Sequence, residues 1–149
     1  MNISQLLKKH GKHAHTVSGD CSVVDAIEKM TLTKSGALIV MEDDRPVGIF
    51  TEHDVFRCHV VDKTGSFSGM KVTDVMSRNL IFASPDDSID HALNRMLDAQ
   101  IHHLPVIESD KISGVLMIND IFRQHMEALY AELQYLHEYI SRLQEAGND

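Results

Sequence analysis

Residues 48–54 read Gly-Ile-Phe-Thr-Glu-His-Asp, and residues 114–120 read Gly-Val-Leu-Met-Ile-Asn-Asp. Both stretches have an apolar half that suits a buried strand, followed by polar residues of the kind that begin a helix. They belong to a longer internal repeat, because residues 18–59 match residues 84–125 without a gap at 14 of 42 positions. A repeat of this length is a supersecondary unit present twice, so the chain of 149 residues is predicted to form two similar halves.

Each half of the chain predicts the same order of secondary structure, β-α-β-β-α. A short extended stretch leads to a helix that Asp20 or Ser22 can cap in the first half and Ser88 in the second. Two strands joined by a polar turn come next, and a final helix is expected to begin at Asp54 and at Asp120. The predicted strands are residues 15–17, 37–40 and 47–50, and their counterparts 80–83, 104–107 and 112–117.

The repeated motif resembles the signature of the CBS, or Bateman, family, in which Gly, a hydrophobic residue, Ser or Thr, and Asp follow at fixed spacing. The first repeat matches this signature in full at residues 48–54, whereas the second has Met117 at the hydroxyl position. A second family element consists of two hydrophobic residues three positions apart, the second followed directly by Pro, and it is present in residues 101–105, Ile-His-His-Leu-Pro. The resemblance covers roughly residues 5–126. It implies an α/β (α+β) fold of two β-α-β-β-α repeats related by a pseudo-twofold axis, here with a long C-terminal helix added.

The domain boundaries follow from the repeat and from the composition of the segments around it. A stretch rich in Gly and Ser separates the halves and predicts a linker. The predicted division is an N-terminal segment or helix at 1–14, a first CBS repeat at 15–61, a linker at 62–70, a second CBS repeat at 71–126 and a C-terminal helical extension at 127–149.

The resemblance implies a ligand cleft between the repeats and, as its ligand, an adenine nucleotide or a related adenosyl compound. AMP, ADP and ATP are the expected ligands, NAD and S-adenosylmethionine are further candidates, and no cofactor is required. The residues carried over to this cleft are Thr51 and Asp54 for the ribose, His53, His102 and His103 for the phosphate, Pro105 beside them, and the backbone of Thr16 and Val17 for the adenine edge.

The residues alone leave a simpler interpretation of this cleft open. Thr51 and Asp54 stand where helix-capping residues are common. His102 and His103 can remain neutral at a strand end, because an unperturbed imidazole loses its proton near pH 6.5.

A second, weaker site is expected in the mirror-related cleft. Its residues would be Ser35 and Gly36 from the first repeat and Met117, Asn119 and Asp120 from the second. This cleft is expected to lack a basic partner and a hydroxyl group. The sequence therefore predicts one competent site and one degenerate site.

Together these features predict a non-catalytic regulatory or sensor module, whose ligand biases how an unknown effector protein is bound. The alternative is a structural dimerisation or protein-interaction module with no physiological nucleotide. No Ser-His-Asp order, P-loop or metal-ligand spacing predicts catalysis, and the adjacent residues His53 and Asp54 face different ways on a helix. His10, His13 and His15 lack interleaved acidic or Cys residues, so they predict a solvated basic segment rather than a metal site.

Composition argues against two kinds of partner. The formal net charge is −8, so neither nucleic acid nor an anionic membrane surface is expected. No apolar run approaches the roughly 20 residues that span a bilayer, and residues 1–10 lack the apolar core of a signal peptide, which predicts a cytoplasmic protein. Cys21 and Cys58 have no CxxC spacing and are expected to be free thiols.

A long C-terminal helix is predicted from Asp120 to about Ala146, a stretch without Pro or Gly. Its apolar residues recur at spacings of four and three, which is a heptad seam. The seam needs cover, either from the N-terminal segment through Ile3, Leu6 and Leu7 or from a second copy in a homodimer. Such a homodimer would form through paired helices, through CBS faces, or through both. The seam residues are Phe122, Met126, Leu129, Leu133, Leu136, Ile140 and Leu143.

Overall fold

The computed structural model describes residues 1–148 and confirms a mixed α/β fold with a long C-terminal helix. The helices are α1 (Ile3–His10), α2 (Val23–Thr33), α3 (Glu52–Val61), α4 (Val72–Val75), α5 (Ile89–Ala99) and α6 (Ile118–Gly147). The strands are β1 (Thr16–Ser18), β2 (Ala37–Glu42), β3 (Arg45–Thr51), β4 (His103–Glu108) and β5 (Lys111–Met117).

Each half of the molecule is centred on an antiparallel hairpin. β2 pairs with β3 and β4 pairs with β5, with one register shift at the equivalent point of each hairpin. The connecting turns have positive φ at both central residues, 50° and 58° at Asp43 and Asp44, and 50° and 62° at Ser109 and Asp110. That backbone form matches the twist of the flanking strands, so the predicted polar turns are tight two-residue hairpin loops.

The first strand of the repeat forms only in the first half, and Pro105 explains the difference. β1 runs parallel to β2, and the Ile39 N–H donates to the carbonyl of His15 at 2.9 Å. Pro105 stands at the position equivalent to Ile39 and has no N–H, so the corresponding bond to the carbonyl of Ile81 cannot form. A single parallel bridge at Ala83 is what remains of the pairing. The strand predicted for this stretch is therefore wrong.

The helix that precedes each repeat packs on the other repeat. α1 inserts Ile3 and Leu6, neither with any exposed surface, into the core of the second half. α4 inserts Val72, which is equally buried, into the core of the first half. Ile3 and Leu6 thus pack on the chain itself, as one of the two expected alternatives has it, because an amphipathic helix gains stability by burying its apolar face.

The same crossing explains the glycine that opens the repeated motif. Ser77, which follows α4, exchanges two backbone hydrogen bonds with Ile49, at 2.9 and 3.0 Å. A Cβ atom at Gly48 would lie 2.7 Å from the Ser77 carbonyl oxygen, closer than a side-chain carbon can come. Gly114 has the same relation to the carbonyl oxygen of Lys12, at 3.0 Å. Glycine is needed in both repeats because another backbone segment lies against the strand.

α3 and α6 begin two residues earlier than the sequence predicts. In both helices a carboxylate at the third helical position accepts a hydrogen bond from the backbone N–H just before the helix. Asp54 accepts from Thr51 at 2.8 Å, and Asp120 accepts from Met117 at 3.2 Å. These bonds satisfy donors that have no partner within the helix, so both carboxylates lie inside the first turn.

The linker between the halves is organised around one carboxylate. Asp62 accepts hydrogen bonds from the Thr64 hydroxyl at 2.6 Å, the Ser66 hydroxyl at 3.2 Å and the Phe67 N–H at 2.9 Å. These bonds, led by that of Thr64, lower the pKa of Asp62. The Phe67 ring is buried and lies edge-on to His59, with ring centroids 4.8 Å apart. The linker is therefore a folded segment.

The C-terminal helix α6 extends well beyond the core. It comprises 30 residues, which corresponds to about 45 Å at 1.5 Å per residue. Ile121 is buried in the second core against α1, and Lys9 Nζ lies 2.9 Å from Glu127 Oε2. Past this point the seam is exposed, by 65% at Leu133 and 55% at Leu143. Cover from the N-terminal segment thus reaches only the beginning of α6.

Candidate functional site

A cleft lies where β3 ends and α3 begins, and we call it the first cleft. Its volume is about 230 Å³. The turn from β3 into α3 supplies one wall, and the segment before β4 supplies another, so both repeats contribute. The lining residues are Ile49, Thr51, His53, Asp54, Ser77, Asn79, Ile81, Gln100, Ile101 and His103.

Asp54 is the buried charge of the first cleft. Its Oδ2 atom accepts from the Thr51 N–H at 2.8 Å and the Thr51 hydroxyl at 3.3 Å, while Oδ1 pairs with the Arg57 guanidinium. A buried carboxylate needs such partners, because an unpaired charge away from water is costly. The Arg57 side chain is 66% exposed, so this ion pair is screened by solvent on its Arg57 side. Asp54 thus caps α3 and keeps one carboxylate oxygen paired only with a largely exposed side chain.

Two histidines, His53 and half-buried His103, line the first cleft. His102 is exposed and does not line it, but its ring centroid lies 5.6 Å from that of His53. Burial lowers the pKa of His103, the Glu52 carboxylate opposes that shift, and His102 and His53 add to it. His103 is consequently a neutral imidazole at neutral pH, able to donate one hydrogen bond and accept another.

The structure does not bring Thr16 and Val17 to the first cleft, so their predicted place at the adenine edge is wrong. β1 carries them into the first half, where Val17 is buried in the core. Asn79 and Ile81, from the segment that precedes the second repeat, line the cleft instead, because this segment crosses onto the first half. Pro105 is buried within β4 and does not reach the lining of the cleft described above.

A second cleft, with a volume of about 280 Å³, is related to the first by the offset of the repeat. Ser35, Gly36 and Met117 line it as expected. Asn119 and Asp120 do not line it, and the Asp120 carboxylate accepts a hydrogen bond from the Met117 N–H. The lining residues are Lys12, His13, His15, Thr33, Lys34, Ser35, Gly36, Ala37, Glu52, His103, Val115 and Met117.

The second cleft is basic, and the expectation that it lacks a basic partner and a hydroxyl group is wrong. Lys12 and Lys34 line it together with His13 and His15, and Ser35 adds a hydroxyl. Lys12, His13 and His15 reach the cleft because the N-terminal segment crosses onto the second half. Hydrophobic periodicity contains no signal for such a crossing, so the sequence predicts the wrong neighbours.

The two clefts meet at His103, which lines both. A Cβ atom at Gly36 would lie 3.1 Å from Glu52 Oε1 and 3.2 Å from His103 Nε2. The missing side chain of Gly36 thus leaves room for a carboxylate and an imidazole at the shared wall.

Three further features bear on function: metal-ligating side chains, membrane-spanning helices and the two cysteines. Within residues 1–148, no three His, Cys, Asp or Glu side chains converge to hold a metal ion. The helices of the described chain include none with the length and apolar character needed to cross a membrane. Cys21 is half-buried and Cys58 is buried, both are free thiols, and burial raises the pKa of each.

Two interlocked units, β-α-β-β-α in the first half and α-β-β-α in the second, with a cleft at each junction, define a tandem-repeat α/β module. The model of the CBS domain matches the chain twice, at residues 6–69 and 72–127. The chain therefore belongs to the CBS-domain family, whose paired domains are regulatory modules.

Known relatives share both sequence and fold. The chain is 35% identical over 147 residues to the mitochondrial CBS domain-containing protein CBSX3 of Arabidopsis thaliana, covering 93% of this chain and 71% of that protein. The CBS-domain-containing protein ATU1752 of Agrobacterium tumefaciens matches with a TM-score of 0.76 and 25% identity, over 84% of this chain and 99% of that one. The CBS-domain pair of protein MJ0100, solved in complex with 5'-methylthioadenosine and S-adenosyl-L-methionine, matches with a TM-score of 0.72 and 20% identity, over 86% and 98%. The chain spans only 22% and 34% of the length of two other curated relatives, which are longer proteins.

Proposed function

We propose that the chain is a non-catalytic regulatory module that binds an adenosyl ligand in the first cleft. The observation that supports this proposal is the buried carboxylate of Asp54 in the first repeat, placed in one cavity with His103 of the second repeat. The two adenosyl compounds bound by MJ0100 support the same class of ligand.

The lining of the first cleft suits an adenosine group. Ile49, Ile81 and Ile101 offer apolar surfaces to the adenine ring, and Asn79 and Gln100 offer amides that match its polar edge. The buried carboxylate at the start of α3 would accept hydrogen bonds from the two hydroxyls of the ribose, an interaction strengthened by its charge.

Charge decides between the adenosyl ligands. Among the residues that the structure describes, no lysine or arginine lines the first cleft, so few phosphates find compensation there. AMP, whose single phosphate would meet His53 and His102, therefore ranks ahead of ADP, ATP and NAD. S-adenosylmethionine is also favoured, because its sulfonium cation is attracted to Asp54.

The proposed regulation works through the angle between the repeats. The ligand would contact Asp54 from one repeat and His103 from the other, and so favour one arrangement of the two. The linker is already folded around Asp62, so ordering of the linker, the other expected response, contributes little. An effector protein that binds one arrangement more tightly would then be regulated by the ligand.

A thermal-shift experiment tests this proposal. The chain would be heated with adenosine, AMP, ATP or S-adenosylmethionine, and with guanosine as the control for the base. A ligand at a hundred times its Kd adds about 2.7 kcal/mol, which raises the midpoint of a domain of this size by roughly 5–10 °C. A midpoint that no adenosyl compound moves would instead support a purely structural module.

The exposed seam of α6 supports a further role, the formation of a homodimer. Met126, Leu133 and Ile140 are 63%, 65% and 53% exposed at heptad spacing, with leucines between them. If two copies pair in parallel, Glu132 of one copy stands beside His137 of the other, so the flanking charges are compatible. This seam is the surface we propose for the second copy.

A face of the first half is the surface that we propose for the effector protein or for additional contacts in the dimer. It is formed by α2 and α3 and is both apolar and exposed. Its residues are Leu32, Phe56, Val60 and Val61, which are 77%, 67%, 76% and 76% exposed.

A further inference from the structure

The two clefts differ in charge at equivalent positions of the repeat. Three neutral residues of the first cleft correspond to basic residues in the second, in the pairs Asn79 and His13, Ile81 and His15, and Gln100 and Lys34. Lys12 adds a fourth basic group to the second cleft. Its counterpart Arg78 instead donates to the Thr73 carbonyl at 3.0 Å and lies outside the first cleft.

The two lysines are fixed by their backbone and free at their side chains. Lys12 exchanges backbone hydrogen bonds with Val115 at 3.1 and 3.2 Å, and Lys34 ends α2 with a φ of 53°. Both side chains are exposed, and within residues 1–148 the ion pairs of the structure involve neither of them. Their positive charge is therefore available to a ligand.

The two lysines of the second cleft outnumber the one acidic side chain that lines it. Glu52 lines the cleft, but it stands beside His103 at the wall formed by Gly36. Asp120 does not line the second cleft, and Met117 stands where the first cleft has the Thr51 hydroxyl. The second cleft therefore offers a ribose little to bind.

We propose that the second cleft is an anion site for a ligand with two or more linked phosphates, the chemistry of inorganic pyrophosphate and tripolyphosphate. Lys12 and Lys34 supply the charge, and the ring N–H of His13 supplies a further donor. A cavity of about 280 Å³ accommodates such a group. This site does not depend on the adenosyl site proposed for the first cleft.

Calorimetric titration with inorganic pyrophosphate and tripolyphosphate tests the site. Lys12→Gln and Lys34→Gln each remove one charge and leave an amide like that of Gln100. Arg78→Gln is the matched control, because it removes the same charge outside either cleft. Each lysine variant should bind pyrophosphate about tenfold more weakly, the value of one hydrogen bond between charged groups, and Arg78→Gln should stay within about twofold.

Two results would overturn the proposal. One is the absence of saturable binding of either phosphate compound to the unaltered chain. The other is an equal loss of affinity in Lys34→Gln and Arg78→Gln. Such a result would mean that the loss comes from the changed net charge of the chain and not from a specific contact in the second cleft. Titration with adenosine, which carries no phosphate, reports on the first cleft separately, so failure of one site is distinguishable from failure of the other.

Discussion

Replacing Asp54 with Ala tests its two roles in one experiment. The change removes the acceptor of the 2.8 Å bond from the Thr51 N–H, and the loss of such a cap costs about 1 kcal/mol. The ion pair with Arg57 adds less, because that side chain is largely exposed and screened by solvent. We expect the free energy of unfolding to fall by about 1–2 kcal/mol. Asp120→Ala, which removes one 3.2 Å bond, should cost about 0.5–1 kcal/mol.

The effect of the same change on ligand affinity should be larger. Two hydrogen bonds from ribose hydroxyls to a carboxylate contribute about 1.5 kcal/mol each, so Asp54→Ala should weaken adenosine binding roughly a hundredfold. Asp120→Ala should change it less than about threefold, since that carboxylate does not line either cleft.

Urea unfolding measures the stability of these variants, and titration calorimetry with adenosine measures their affinity. Asp54→Asn is an informative control, because its amide oxygen still accepts from the Thr51 N–H while the charge is lost. The Asp54→Asn variant should be nearly as stable as the unaltered chain, but it should bind adenosine more weakly than the unaltered chain does. Equal affinities of the Asp54→Ala and Asp120→Ala variants for adenosine would refute the assignment of the ribose to Asp54.

Other consequences follow from burial and exposure. Because burial lowers the pKa of His103 below its ordinary value of 6.5, the unfolded chain takes up the proton first as the pH falls. Stability measured in urea should therefore drop between pH 7.5 and 5.5, and His103→Ala should reduce that drop; an identical drop in the variant would exclude this imidazole as a cause. Leu133→Asp should give a monomer by light scattering, whereas Glu138→Gln on the opposite face of α6 should not, and a monomeric unaltered chain at micromolar concentration would contradict the paired helices. Cys58, buried and with a raised pKa, should react with a thiol reagent only on unfolding, which kinetics in increasing urea will show. Leu6→Ala should lower the free energy of unfolding by about 3 kcal/mol, and a loss below about 1 kcal/mol would mean that α1 is not part of the core.

Local chemistry made much of the fold predictable. Ser22 and Ser88 cap α2 and α5 as expected, because a hydroxyl at that position has a nearby backbone donor to satisfy. The hairpins follow from apolar runs separated by short polar turns. Pro105 shows the limit of such reasoning: its own strand forms, but it removes the hydrogen bond that a neighbouring strand requires.

The candidate clefts were predictable only in part, because each one combines distant segments. The motif that ends in Asp54 and the run that contains His103 can be identified in the sequence, and the structure brings both to the first cleft. The basic character of the second cleft depends on where the N-terminal segment packs. That choice is made by the burial of Ile3 and Leu6 against the second core, a tertiary effect without a local signal.

The exchange of α1 and α4 between the halves has a consequence for how the molecule comes apart. A chain severed in the linker would yield two fragments, each holding a helix that completes the other and each lacking one of its own. We expect each fragment to fold poorly alone, because its core would lack the residues that the other fragment supplies, and we expect the two to reassemble on mixing. Both clefts are lined by residues from the two halves, so separation of the halves would also open the clefts.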